Sequence, residues 1–393
     1  ITKILSTKLF VGIGLISYSL YLWHYPIFAF ARITELYGDD AYKNIIVVTC
    51  ILIFSLISYY LVERPARLKK YKFKIIFTLI ITCYLILIFF NNKIIYNNGY
   101  KYRFPEILDI REKEILRDPS SFKRCNWGEV TTCYFNQKSN QKIYIIGDSH
   151  VWNLIPDLKE KIVKRDYQFI TSSFADCFYF PKFESINNKT RKINTNCKIK
   201  FQKEILSKTN NSIIIFFGRL PRYLTNRYFD NQEGGIEGYI WEKSFISDDQ
   251  NMTVEKSFKS EVLNLEKKNK IILVYPFPEA GWHIPTKLLN SLPKNKDLIK
   301  EHLILKNYIT TSYQVYKDRT RSSFELLDSI QGNNVYRAYP HKLYCNTIIK
   351  NRCITHDDKN IFYADDDHPS LKGAEMINDL IIKEIKNIEL NSN

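Results

Sequence analysis

No Cys-x-x-Cys pair occurs in the 393 residues, and the seven histidines are scattered. A structural zinc site needs closely spaced thiolate and imidazole ligands, so zinc fails on spacing and no metal is expected. The aromatic–basic motif of an RNA binder is missing too. The formal charge of +16 is spread among Ile, Asn, Tyr and Phe, and nucleic acid is not expected as a partner. Lysine-rich flanks of membrane segments and a Lys/Asn/Ile-biased composition account for that charge, which would favour anionic envelope surfaces. No signal peptide can be read at the first end. The first residue is isoleucine, so the chain is expected to be a piece of a longer one. Finally, the Gly-x-Ser-x-Gly elbow is absent, because no second glycine follows the serine of Gly147-Asp148-Ser149.

That tripeptide is nevertheless the centre of the chain. Ile143 to Ile146 reads as a buried strand, Gly147-Asp148-Ser149-His150 as a sharp turn, and Val151 to Lys164 as a helix. A serine between a parallel strand and a helix exposes its hydroxyl and aims its backbone N–H at the same point, which suits a nucleophile. A bare Gly-Asp-Ser is more often a turn or a helix cap. A second stretch, Tyr363 to Ala374 (YADDDHPSLKGA), adds a base, His368, and an orienting carboxylate, Asp365, on a loop that opens a helix. An imidazole that takes the hydroxyl proton, and a carboxylate that fixes its tautomer, make serine a nucleophile. Read alone, Asp365-Asp366-Asp367 is a solvated acidic loop or an adventitious cation site.

The two blocks, in this order at the ends of one domain, resemble the SGNH (GDSL-like) hydrolase and acyltransferase family. The resemblance implies Ser149 as nucleophile, His368 as base and Asp365 as third member. It also implies oxyanion donors from two middle blocks, where the match is poor. Gly218 and Arg219 stand where Gly-x-Asn-Asp is expected, and Thr171 to Cys177 has no glycine.

Three apolar stretches precede this domain: Leu9 to Ala31, Ile45 to Val62 and Ile75 to Phe90. Each is expected to cross a membrane, with Lys72, Lys74 and Lys93 snorkelling at the ends of the last. The loop from Glu63 to Lys74 carries Arg64, Arg67, Lys69, Lys70, Lys72 and Lys74 and should be cytoplasmic, which puts everything after about Asn91 outside. Ser17 to Ile27 (SYSLYLWHYPI) and Ser58 to Arg67 (SYYLVERPAR) look like the last two core helices of the acyltransferase-3 family, integral-membrane enzymes that acylate envelope sugars. His24 and a Glu63–Arg64 pair are either interfacial or binding elements. A third helix leading to an external SGNH domain matches the fused, OafA-type subclass of O-antigen acetyltransferases. The expected organisation is 1–70 acyltransferase-3 helices, 71–92 an extra transmembrane helix, 93–140 a periplasmic linker with a short helix over Ile107 to Arg117, and 141–393 the SGNH domain.

Two of the eight cysteines, Cys50 and Cys83, lie inside spans. The other six group locally as Cys125/Cys133, Cys177/Cys197 and Cys345/Cys353. Six cysteines permit fifteen pairings, and the local one is expected. Disulfides imply an oxidising compartment, hence a periplasmic domain on a multi-pass inner-membrane protein. The outer domain alternates strands (143–147, 167–171, 212–217, 271–275, 334–337) with helices (150–164, 199–207, 252–268, 297–318, 370–386). This predicts a three-layer, flavodoxin-like α/β fold with a parallel sheet. Ligands bind beyond the carboxyl ends of such strands, where Ser149 sits. Arg219 and Arg222 are candidates for an anionic or acyl-oxygen contact. In the Pro/aromatic loop after Tyr275, Trp282 could stack on a sugar and His283 could touch substrate, unless the loop is merely packed.

The expected function is O-acetyl (or short acyl) transfer to an envelope polysaccharide. Ser149 would carry the acyl group, and no cofactor is held by the domain. By resemblance the donor is acetyl-CoA, reached through further membrane helices. Two alternatives remain: an esterase with the same triad, and a degenerate SGNH module that only binds glycan.

Overall fold

The structure is a computed structural model that describes residues 6–33, 36, 41–68, 72–97, 99–100, 132–237, 243–293 and 307–392. The chain divides into two compact units, 1–103 and 104–393.

The first unit is helical. Helix α1 spans Lys8–Ile33. Helix α2, Ala41–Ser58, runs on through a π-helical turn at Tyr59–Glu63 and one last turn at Arg64–Arg67. Helix α3 spans Phe73–Tyr96 and buries none of its residues. Ala31 on α1 packs with Val47 and Ile51 on α2, and Trp23 stacks on Phe54 at 5.0 Å. Glu63 accepts a hydrogen bond from Ser19 Oγ at 2.8 Å. Its ionic partner is Arg67 rather than the adjacent Arg64, whose guanidinium lies over the Tyr60 ring.

Among the described residues two helices are long and apolar enough to cross a membrane, Ala41–Arg67 and Phe73–Tyr96, where the sequence reading expects three. The first apolar stretch does form a helix. Its Tyr18, Tyr21, Trp23, His24, Tyr25 and Pro26 dilute the apolar character of the second half. At 24 residues, α3 is longer than its 16-residue apolar run and reaches the ~20 residues a bilayer core needs.

The second unit is an α/β domain. Its main-sheet strands are β1 (Thr132–Phe135), β2 (Lys142–Gly147), β3 (Gln168–Ser173), β5 (Ile213–Phe217), β7 (Lys270–Val274) and β9 (Val335–Ala338), in the order β1-β3-β2-β5-β7-β9, while β4 (Glu184–Asn187) and β6 (Lys243–Ile246) pair with each other. The five from β3 to β9 are parallel, while β1 pairs antiparallel to β3 at one edge. The parallel strands thus run in the 2-1-3-4-5 order of flavodoxin-like sheets, which changes direction between β2 and β5.

Sequence alternation explains the three layers, because successive strand residues point to opposite faces. Ile143 and Ile145 of β2, Ile213, Ile215 and Phe217 of β5, and Ile272 and Val274 of β7 enter one core. They meet α4 (His150–Val163), α8 (Ile284–Ser291) and α11 (Leu371–Ser392) there. Tyr144, Ile146, Ile214, Phe216, Ile271 and Leu273 enter the other core, against α5 (Ile199–Ser207), α7 (Val254–Leu265) and α9 (Tyr313–Ser329).

Several elements depart from expectation. Strand β1 falls inside the presumed linker, and the helix expected over Ile107 to Arg117 lies outside the described residues. A helix expected over 297–318 is instead strand β8 (Thr310–Ser312) followed by α9, with 294–306 not described. β-Branched Thr310 and Thr311 pair with β10 (Arg352–Ile354), and Ser312 caps α9 by accepting from Val315 N. The Cys345–Cys353 disulfide joins the end of α10 (His341–Tyr344) to β10, and Cys177–Cys197 joins the segment after β3 to the approach to α5. Cys133 is disulfide-bonded, while its expected partner Cys125 lies outside the described residues. Cys50 and Cys83 are free.

Candidate active site

The β2–α4 turn is shaped by close backbone approach. A Cβ at Gly147 would lie 1.7 Å from the carbonyl oxygen of Phe217 on β5, and one at Gly218 would lie 2.8 Å from Asp148 Oδ2. Glycine at the ends of both strands lets them close on each other and leaves Ser149 at the sheet's turning point. Ser149 occupies the N-cap position of α4, yet its side chain makes no capping bond. The hydroxyl is instead hydrogen-bonded to His368 Nε2 at 2.8 Å.

His368 comes from the loop before α11. Asp365 builds that loop, since its Oδ1 accepts the backbone N–H groups of Asp367 (3.0 Å) and His368 (2.7 Å). His368 Nδ1–H donates to Asp365 Oδ2 at 2.9 Å. Asp367 Oδ1 is also 2.8 Å from Nδ1. Burial disfavours the imidazolium, but Asp367 and then Asp365 outweigh it and hold His368 well above the ordinary imidazole value.

Two residues flanking the expected trio complete its frame. The Asp148 side chain is buried and accepts from His150 N (3.0 Å), Arg219 N (2.7 Å) and Tyr223 Oη (3.0 Å). Burial alone would raise its pKa; His150 and the amide donors bring it below the usual range. The His150 ring stacks on His368 with centroids 4.4 Å apart. Its Nδ1 is 3.2 Å from Asp148 Oδ1 and its Nε2 3.1 Å from the Asp367 carbonyl oxygen. The cleft beside Ser149 holds about 470 Å³, and its walls include Asp176, Tyr223, Glu237 and Asp366. Burial, then Asp367 and Asp365, push the Asp366 carboxyl up to about 6.

The remaining candidates fall into two groups. Arg219 and Arg222 line the cleft. The Arg219 guanidinium is already held by Glu279 (2.6 Å), Glu237 (2.8 Å) and Asp367 (2.8 Å), so its charge is matched by protein carboxylates. Its backbone amide goes to Asp148 and Gly218 packs against Asp148, so this block frames the turn. Arg222 donates to the Arg227 carbonyl, and burial pushes its guanidinium down to about 10. Trp282 and His283 are not among the cleft's walls. Lys287 Nζ covers the Trp282 ring at 4.2 Å, and exposed His283 caps α8 through Thr286. The Pro/aromatic loop is tied instead to the acidic loop's backbone, because Ala280 N and Gly281 N donate to the Asp366 carbonyl.

His150, Asp148 and Asp367 were adjacent to the expected residues and received no role from sequence. The signal available was the density of ionisable groups in Asp148-Ser149-His150 and Asp365 to His368. Among the described residues two clusters group enough ligand atoms to hold a cation, His150/Asp367/His368 and Asp365/Asp366/Asp367. Asp367 is already paired with His368 and Arg219, and Asp365 with His368, which suits an ion-paired network better than a metal centre.

A hydroxyl, an imidazole and a carboxylate linked in series at the turning point of a doubly wound sheet define a domain of the serine-hydrolase type. Residues 118–383 match the family described as an SGNH domain fused to AT3 domains, and the chain belongs to that family. A stretch of 71 residues is 42% identical to the O-acetyltransferase OatA of Staphylococcus aureus, covering 18% of this chain and 12% of OatA. The match thus spans about an eighth of the length of these curated relatives. The periplasmic domain of a lipopolysaccharide acetyltransferase from Salmonella ser. Paratyphi A aligns at 14% identity and TM-score 0.39, over 74% of this chain and 96% of that one. A GDSL-like lipase from Bacteroides thetaiotaomicron aligns at 10% identity and TM-score 0.31, over 70% and 98%.

Proposed function

We propose that this chain is an O-acyltransferase, in the first instance an O-acetyltransferase, that modifies a cell-envelope polysaccharide such as O-antigen and carries the acyl group on Ser149. The observation behind this is the Ser149 Oγ–His368 Nε2 hydrogen bond, continued to Asp365, within an SGNH domain of the kind fused to AT3 membrane domains. In the first half-reaction His368 takes the Ser149 proton as Oγ attacks the acyl carbonyl. The same proton passes to the group from which the acyl bond breaks, the acyl group being proposed to start on acetyl-CoA and to reach Ser149 by way of acyltransferase-3 helices. In the second, His368 takes a proton from a sugar hydroxyl that attacks the acyl-serine, and returns it to Ser149. Residues 1–70 are proposed to be acyltransferase-3 helices and Leu9 to Ala31 a third span, which gives a multi-pass inner-membrane protein. The disulfides of the α/β domain suit a periplasmic location.

The test uses the full chain in detergent with an acetyl donor, with and without oligosaccharide acceptor. Wild type is expected to gain one acetyl group on Ser149 and pass it to sugar. Ser149→Ala is expected to lose both, with transfer down at least about 10³-fold. Acetate released at the same rate with or without sugar would show an esterase. Full activity in Ser149→Ala would overturn the reading.

A further inference from the structure

The His368 imidazole faces two carboxylates, and they are held in different ways. Asp365 makes the directional hydrogen bond and shapes the loop, but its side chain is 34% exposed. Asp367, its side chain 7% exposed, is fixed at both ends. Its carbonyl oxygen lies 3.1 Å from His150 Nε2. Its Oδ2 is 2.8 Å from Arg219 Nη1, while its Oδ1 is 2.8 Å from His368 Nδ1. Arg219 is itself anchored by Glu237 and Glu279, and Glu279 accepts from Arg319 on α9. A buried chain of alternating charge therefore runs from α9 to the imidazole.

Resting on the acyl-serine reading, we propose that the carboxylate work is divided: Asp365 orients His368, and Asp367, clamped by Arg219, is the positioning residue whose fixed negative charge sets the pH at which His368 becomes a base. A carboxylate shielded from water acts on its neighbour more strongly than one partly in solvent. Burial would raise the Asp367 carboxyl, yet Arg219 first, then His368 and His150, hold it well below the carboxylate range, so its charge persists across the working pH.

The sign of the effect is fixed. His368 accepts the Ser149 proton only when neutral, so a raised imidazole value places the ascending limb of activity above pH 6.5. Removing the charge that raises it must move that limb down. The readout is the pH dependence of Ser149 phosphonylation by a small fluorophosphonate on the full chain in detergent. It reports the Ser–His relay without any acyl transfer, so a failed acyltransferase reading leaves it interpretable. Asp367→Asn keeps the shape, and its midpoint is expected to fall by about one pH unit or more with a modest loss at the plateau. Asp365→Asn is expected to lower the plateau more and the midpoint less. An unchanged midpoint in Asp367→Asn overturns the proposal. Should that variant fail to fold, Asp365→Asn decides. A midpoint that stays raised supports Asp367 as the source of charge, and one that drops to the ordinary imidazole range overturns it.

Discussion

One methyl group separates the turn that carries Ser149 from a clash. At Gly147 an added Cβ meets backbone, the Phe217 carbonyl at 1.7 Å, and backbone in a central strand cannot step aside. At Gly218 the nearest atoms are side-chain atoms of Asp148 and Phe178 at 2.8 Å. Gly147→Ala is therefore expected to cost more than Gly218→Ala, on a scale of about 1–3 kcal/mol for overpacking, and both should slow Ser149 labelling. Paired urea-unfolding and fluorophosphonate measurements check the ranking; equal, negligible effects would contradict the close approach. His341 offers a different residue-scale test. It is 8% exposed among Tyr313, Tyr316, Phe324 and Tyr339, and burial, then Lys342, push it down to about 4. Unfolded, it binds a proton below about 6.5; folded, only near 4. Stability is thus unaffected by this group above 6.5 and falls with pH between those values, by up to about 1.4 kcal/mol per unit. Urea midpoints of wild type and His341→Phe at pH 7, 5.5 and 4.5 check it, with a flatter decline expected in the variant.

At the scale of elements, the parts legible in the sequence are those whose side chains repeat. Strands β2, β5 and β7 are apolar runs bounded by turns, and α4 and α11 show helical spacing, so the alternation alone gives the three-layer core. Elements set by their partners were not legible. β8 and β10 have three residues each and exist because they pair with each other beside a disulfide. β1 needs the edge of β3 to be a strand. The Arg219–Glu279–Arg319 network was invisible for the same reason, since its members come from the segment before α6 (Leu220–Thr225), the loop after β7, and α9. Glu279 is buried, and Arg219 and Arg319 hold its carboxyl below the usual range against the effect of burial. Neutralising it leaves two guanidiniums short of an anion, so Glu279→Gln is expected to destabilise the domain by about 3–5 kcal/mol. Denaturation curves of the folded variant check this, and a change under about 1 kcal/mol would show the network to be dispensable.

For the whole molecule, net charge misdescribes the place where chemistry occurs. The chain carries +16, but the cleft beside Ser149 is lined by Asp148, Asp176, Glu237, Asp365, Asp366 and Asp367 against Arg219, Arg222 and the imidazoles of His150 and His368. The sequence shows the acidic loop but not that Asp148, Asp176 and Glu237 converge on it from three other segments, nor that Arg219 is neutralised by Glu237, Glu279 and Asp367. That convergence excludes an incoming anion by desolvating it beside fixed negative charge, whatever attraction the outer surface exerts at longer range. An uncharged sugar hydroxyl is therefore expected to be a better acceptor than the same hydroxyl on a residue bearing a carboxylate or phosphate. Competition between a neutral oligosaccharide and its uronic-acid counterpart, followed by acetylated product, checks this. The neutral acceptor should win at pH 7. Its advantage should shrink in Asp366→Asn, which removes a cleft carboxyl pushed up to about 6, and in wild type as pH falls through that value. Salt should matter little for groups this buried and close to the acceptor, because screening acts chiefly beyond about 8–10 Å. Equal transfer to both acceptors at every pH would mean that the acceptor hydroxyl reaches Ser149 without meeting the acidic wall.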